Sequence, residues 1–267
     1  MATMDAELET IVIREPRVYL VGQQSINETE LARFLDDEGV SRWSTDTEVA
    51  GQALVEVAGR LCYKSYAKPR PGGNSTYIGH ILEVGHGSVL EHAVLNLIIT
   101  GVSRSFTHEL IRHRAGFGFS QRSQRYVDEG ACAFVEPDAI ADEPELHRIW
   151  LESVTASQRA YQALAEGLVA KLAGIEDRTL RRKKAREAAR SVLPNAAETE
   201  IFVTANARAL RHFIELRGSE FADAEIRKVA LEVLRVVRAH SPNLFGDYVE
   251  VDLPDGGRAT ATEFRKV

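Results

Sequence analysis

Apolar positions recur along this chain with two periods, and the periods divide it into strands and helices. RVYLVGQQ (17–24) is apolar enough and short enough for a strand. TDTEVAGQALVEVAGRLCYKSY (45–66) places Ala50, Leu54, Val57 and Leu61 at helical spacing. AKPRPGGNST (67–76) breaks that spacing with Pro and Gly and reads as a loop. YIGHILEVGH (77–86) reads as a short helix ending near Gly85, and VLEHAVLNLIITGV (89–102) holds an apolar run of strand length. SRSFTHELIRHR (103–114) returns to helical spacing and stops at Ala115-Gly116. The longest helical pattern covers 142–174, with Gly167 as its weak point. RTLRRKKAREAARSVLP (178–194) is a second helix, closed by Pro194, and 206–219 and 221–240 give two more. LFGDYVEVDL (244–253) fits a terminal strand. Helices dominate, with strands at both ends and in the middle and no internal repeat, which predicts a single α+β domain. Residues 1–16 read as a flexible N-terminal tail, 17–255 as the domain and 256–267 as a C-terminal tail.

Composition changes this picture little. A chain of 267 residues with 44% hydrophobic and 27% charged content can bury one sizeable core. No stretch approaches the ~20 apolar residues of a membrane helix. The acidic start MATMDAELETIVIREP lacks the apolar core of a signal peptide. Two cysteines, Cys62 and Cys132, make neither a disulfide framework nor a metal cluster. These features predict a cytoplasmic protein without a membrane partner.

Charge changes the picture more. The net charge of −6 argues against a general nucleic-acid binder, yet cations gather in two places. RHRAGFGFSQRSQRY (112–126) holds Arg112, Arg114, Arg122 and Arg125, and RTLRRKKAREAAR (178–190) holds Arg182, Arg186 and Arg190 at i, i+4 and i+8. Local basic sites in an acidic protein suit small phosphorylated ligands. Each also has a plainer reading as a solvated basic face. In a helix over 103–114, Arg104, His108 and Arg112 would share one face, where a bound anion would offset their repulsion.

Metal and nucleophile chemistries find no support. His108-Glu109 fails the zinc-protease spacing, because the next histidine is His113 at i+5, roughly 140° round a helix. GHGSVLEH (85–92) offers His86, Ser88, Glu91 and His92 either as a capped turn or as the polar rim of a heteroaromatic ligand. Walker, dinucleotide-fingerprint and nucleophile-elbow sequences do not occur. Cys62 sits in an apolar helical pattern and Cys132 between alanines, so neither reads as an activated nucleophile.

Taken in order, GHGSVLEH, SRSFTHELIRHR, SQRSQRYV, LRRKKAREAARSVLPN and NARALRHFIELR resemble the flavin-dependent thymidylate synthases over about residues 50–230. The resemblance implies helices around a central, mostly antiparallel sheet, and a homotetramer. It implies FAD, with NADPH and methylenetetrahydrofolate as co-substrates, and dUMP methylated at C5 without a cysteine nucleophile. It implies cofactor contacts from Ser88, Glu91, Arg112, His113, Arg114, Gln121, Asn206, Arg208 and His212. Glu109, Arg112, Gln121, Ser123, Gln124 and Arg125 would hold the nucleotide, with Arg190 at its phosphate. Arg217 would face uracil as the catalytic residue and favour its N3-deprotonated form. Such an anion is more nucleophilic at C5, and a fixed guanidinium stabilises it.

The chain departs from the family pattern in three places. Eight residues separate Arg114 from Ser123, where seven are usual, and the glycines of AGFGF can absorb the extra one in a turn. Arg122 stands at a position usually non-basic and is expected to add a cation beside the nucleotide. Phe221 stands where a histidine often follows the catalytic arginine by four residues. These departures keep open a relative that methylates UMP, with the AGFGFSQR loop relaxing discrimination at the ribose 2′-OH. A nucleotide- or RNA-binding protein without catalysis is the alternative of another class.

Overall fold

The computed structural model describes residues 10–40, 43–68, 71–254 and 256–267. The first half forms β1 (Val12–Ile13), β2 (Arg17–Gln23), α1 (Glu28–Asp37), α2 (Ala50–Tyr63), α3 (Gly73–Glu83), a 3₁₀ turn (Gly87–His92), β3 (Val94–Ser103), α4 (Arg104–Leu110) and β4 (Phe117–Gln121). The second half forms β5 (Phe134–Val135), α5 (Asp138–Ala141), α6 (Pro144–Lys171), α7 (Arg178–Ala189), a 3₁₀ turn (Arg190–Val192), β6 (Glu198–Asn206), α8 (Ala207–Arg217), α9 (Ala224–His240), α10 (Pro242–Phe245), β7 (Val249–Asp252) and β8 (Arg258–Ala261). The main sheet is antiparallel with strand order β2-β3-β6-β4. The α+β class is therefore as expected.

The chain divides into two compact units. One comprises residues up to Pro16, Thr100–Leu110 and Ser120–Ile201; the other comprises Arg17–Ile99, Ile111–Phe119 and Phe202–Val267.

In the second unit, α9 packs on β2 and beside α8. Its buried face is Ile226, Val229, Ala230, Val233, Leu234 and Val237, the stripe that a 3.6-residue period puts on one side. Asp223 caps the helix by accepting from the Glu225 N–H at 3.0 Å. In the first unit, α6 packs on α7, and α6 runs through Gly167 without a break.

Several sequence expectations change. β6 supplies an inner strand of the sheet, although no strand was expected there. Its buried positions Thr199, Ile201, Val203 and Ala205 alternate with Glu200, Phe202 and Thr204, so the period-two signal was present. The helix expected over 103–114 ends at Leu110. Residues 111–116 are turn and loop, with His113 buried between exposed Arg112 and Arg114. Arg112 therefore leaves the face shared by Arg104 and His108.

Part of the expected N-terminal tail, residues 1–9, lies outside the described residues. Val12 and Ile13 are a strand paired in parallel with Phe134 and Val135. The C-terminal segment differs from the expected tail as well, because β8 pairs antiparallel with β7 and Val267 is buried. Arg211, 1% exposed, anchors this region. It donates from Nη1 to the Leu244 carbonyl at 2.7 Å and to Asp247 Oδ1 at 2.6 Å. From Nη2 it donates to Asp247 Oδ2 at 2.8 Å and to the Phe264 carbonyl at 3.4 Å. The polar composition of 256–267 hides a segment that backbone pairing and one buried ion pair hold down. No helix among the described residues is long and apolar enough to cross a membrane.

Candidate active site

The RHR stretch enters the second unit directly after α4. His113 turns inward and packs edge-on against Phe213 at 5.3 Å and His212 at 6.0 Å, with Phe117 at 5.8 Å. Arg217, the last residue of α8, donates from Nε to His113 Nε2 at 3.1 Å. An imidazole nitrogen that accepts this bond carries no proton, so the ring is neutral and its proton sits on Nδ1. Burial pushes the His113 pKa down to about 4, and the charges of Arg217 and His212 add to the fall. A cavity of about 280 Å³ opens here, lined by Arg112, His113, Arg114, Phe117, His212 and Arg217 among others. Phe117 and Phe119 stack at 5.5 Å as successive same-face residues of β4.

The neutral imidazole has a measurable consequence. Between pH 6.5 and about 4 the unfolded chain takes up a proton at this histidine and the folded chain does not. Its stabilising contribution is therefore complete above about 6.5 and lost as pH falls towards 4. Imidazole ¹⁵N spectra should show an Nδ1–H tautomer that protonates near pH 4. A midpoint near 6.5 would contradict the bond to Arg217.

Two glycines shape the surroundings. Gly116 has φ +74, and a Cβ there would lie 2.7 Å from Asn206 Nδ2 and 2.8 Å from Ala209 Cβ. Gly116 thus sits in the turn before β4, where its positive φ favours glycine. A Cβ at Gly87 would lie 2.7 Å from the Val267 backbone and 3.0 Å from Arg208 Nε. Beside it, Ser88 and Glu91 are exposed on the 3₁₀ turn, and Arg208 Nη1 pairs with Glu91 at 2.6 Å. Asn206 spends its Oδ1 on capping α8, accepting from the Ala209 N–H at 2.8 Å. Phe221 is 91% exposed.

The first unit holds a second group of the expected residues. Gln121 donates to Thr107 and Thr199 hydroxyls at 3.2 and 3.3 Å. Ser123 Oγ accepts from the Arg125 N–H at 3.4 Å, and Arg125 pairs with Glu187 at 2.9 Å. Glu109 lies on α4, partly buried, and Arg190 opens the 3₁₀ turn after α7. On α7, Arg186 pairs with Asp128 at 2.8 Å, and Lys183 lies over the Tyr126 ring at 4.6 Å.

Arg104 emerges here as a residue that the sequence marked only as part of a cationic face. Its Nη1 and the Nε2 of Gln124 are buried without a hydrogen-bond partner. An unsatisfied buried donor costs roughly 1–3 kcal/mol, a cost that an anionic ligand would remove. Burial lowers the Arg104 pKa; Arg190 and Arg122 also lower it, while Glu129 opposes. Arg104 and Arg190 lie close enough to repel one another, and the orphaned donors beside them suit an anion.

Cys62 is exposed, and Cys132 is buried beside Phe134, Val154 and Ala197. Burial first, and then Glu129, push the Cys132 thiol up to about 12.

A family model described as thymidylate synthase complementing protein matches residues 45–243. A flavin-dependent thymidylate synthase from Mycolicibacterium gilvum (strain PYR-GCK) is 53% identical over 235 residues, covering 87% of this chain and 92% of its own. One from Mycobacterium avium (strain 104) is 53% identical over 216 residues, covering 80% and 86%. A crystal structure of the UMP/dUMP methylase PolB from Streptomyces cacaoi bound with 5-Br dUMP aligns with TM-score 0.63 at 22% identity, over 88% of this chain and 95% of that one. That likeness concerns the fold. These findings, with a cavity lined by cations and a fixed guanidinium, define the chain as an enzyme. It belongs to the flavin-dependent thymidylate synthase family, the family of the thymidylate synthase complementing protein.

Proposed function

We propose that this enzyme converts dUMP to dTMP, with methylenetetrahydrofolate as one-carbon donor, NADPH as reductant and FAD as cofactor. The observation that carries the reading is Arg217, held at Nε by a neutral, buried His113 in a cavity lined by Arg112 and Arg114. The donor set fits FAD. Arg112, Arg114 and Arg208 suit a pyrophosphate, Ser88 and Glu91 suit hydroxyl or amine groups, and His113, Asn206 and His212 can serve a flavin edge. When bound, FAD supplies the hydride, drawn from NADPH, that completes the methyl group.

The chain's own residues do the rest. Uracil C5 forms the new bond to the one-carbon unit as that carbon's bond to the folate nitrogen breaks, and C5 then gives its proton to water. That carbon is nucleophilic enough only when negative charge is available in the ring. Arg217 supplies a fixed cation for this charge without a covalent bond. His113 fixes the guanidinium plane through Nε and, being neutral, adds no competing charge. Within the first unit, Arg104, Arg125 and Arg190 suit a phosphate, and Ser123, Gln124, Glu109 and Gln121 suit the polar edges of a nucleotide. Cys132, with its thiol pushed up to about 12, is no thiolate at neutral pH, in keeping with chemistry that needs no cysteine nucleophile.

The test follows NADPH oxidation by FAD-loaded protein with dUMP, UMP or neither present, and then product methylation after methylenetetrahydrofolate is added. We expect dTMP, with UMP turned over at least tenfold more slowly. Equal turnover of UMP would make the enzyme a uridylate methylase. Failure to retain flavin, with no product from either nucleotide, would leave only a nucleotide-binding protein.

A further inference from the structure

Arg122 follows β4 directly and precedes Ser123–Arg125. Its N–H donates to the Glu200 carbonyl at 3.0 Å. Its Nη2 donates to the Glu198 carbonyl at 2.7 Å and to Glu198 Oε2 at 2.8 Å. Glu129 Oε2 lies 3.6 Å from the same nitrogen, and Glu200 Oε1 lies 3.9 Å from Nη1. Glu129 and Glu198 are both buried, at 2% and 7% exposure. The second oxygen of Glu198 accepts from the Gly101 N–H at 3.2 Å, so Arg122 and β3 hold the same carboxylate.

This geometry turns Nη2 of Arg122 to protein acids, while its Nε is buried without a hydrogen-bond partner. The arithmetic of charge gives it a further role. Burial raises the Glu129 pKa, Arg122 and then Arg104 oppose the rise, and Glu198 adds to it. Two buried carboxylates in a low-dielectric setting need a cation close by, and Arg122 reaches both of them. With Arg122 present, Arg104 is spared, and its Nη1 stays unpartnered. Without Arg122, Arg104 would be the cation left to compensate Glu129, and it would be drawn from the anion site.

We propose that Arg122 is a positioning residue that compensates the buried Glu129–Glu198 pair, and so keeps Arg104 and the Ser123–Arg125 segment available to the nucleotide phosphate without touching it. The inference rests on the reading that these residues hold the nucleotide. It assigns a reason to a cation where the family pattern is usually non-basic.

The experiment is calorimetric titration of the full-length, FAD-loaded protein with dUMP. Arg122→Leu should weaken dUMP binding about tenfold or more, with FAD affinity moved less than twofold. R122L/E129Q/E198Q, which removes the acids together with the cation, should bind within about threefold of wild type. That variant buries no uncompensated charge, so it decides the matter even if Arg122→Leu fails to fold. A direct phosphate contact by Arg122 predicts instead that the triple variant stays about tenfold weaker or worse, and that result overturns the inference. An equal loss of FAD and dUMP affinity in Arg122→Leu, unrelieved in the triple variant, also overturns it. No dUMP binding by the wild-type protein would defeat the underlying reading, and the inference with it. Wild-type binding with an unrelieved triple variant would defeat the inference alone.

Discussion

Arg217→Lys is expected to lower the rate of dUMP methylation about 10²–10³-fold, the usual effect of removing one preorganised donor from a developing negative charge. Lysine keeps the charge and loses the geometry. Its ammonium has no Nε–H to give to His113 and no plane for His113 to fix. The loss belongs to turnover more than to dUMP binding, because the ring charge is greatest where the C5 bond forms. Single-turnover methylation with saturating dUMP measures it. A loss below about threefold would remove Arg217 from the reacting centre. His113→Gln, which keeps a side-chain acceptor, should retain more activity than His113→Ala.

The second large effect is on stability. Arg211→Ala should cost about 3–5 kcal/mol, because it strands Asp247 at a nearly buried position and leaves the Leu244 and Phe264 carbonyls without their donor. Total stabilities run at about 5–15 kcal/mol, so much of the margin would go. Urea unfolding should show the midpoint falling in proportion. The paired change R211M/D247L should recover most of the loss, since an apolar pair of similar size carries no stranded charge. If the paired variant were as unstable as Arg211→Ala, packing under Tyr248 would outweigh the ion pair, because the guanidinium lies 4.8 Å from that ring.

These two residues show what the sequence discloses. Arg217 and His113 were legible through an ordered set of motifs, and α8 and α9 through clean helical stripes. The bond between Arg217 and His113 spans 104 positions, and no local period encodes it. The helix predicted over 103–114 ends early, at Leu110, because Arg104, His108 and Arg112 fit helical spacing while His113 packs on its aromatic neighbours instead. β6 alternates, but two glutamates interrupt its apolar character at the start and weaken its signal as a strand. Arg211 carried no signal at all. An arginine beside His212 reads as one more surface cation until Asp247 is seen to meet it. Arg122 was noticed for its charge, and only the arrangement of Glu129 and Glu198 shows where that charge is directed.

The pairing of β1 with β5 bears on how the chain is made. Val12 meets Phe134, so a ribosome adding ~5–20 residues per second leaves the early strand waiting roughly 6–24 s for its mate. Both compact units draw on three separated stretches, and the last of these ends at Ile201 in one unit and at Val267 in the other. Neither unit can therefore close on a nascent chain until most of the message has been read. For this protein, synthesis and folding are largely consecutive events. Chaperone demand during translation should be set by the waiting time and little by the final stability.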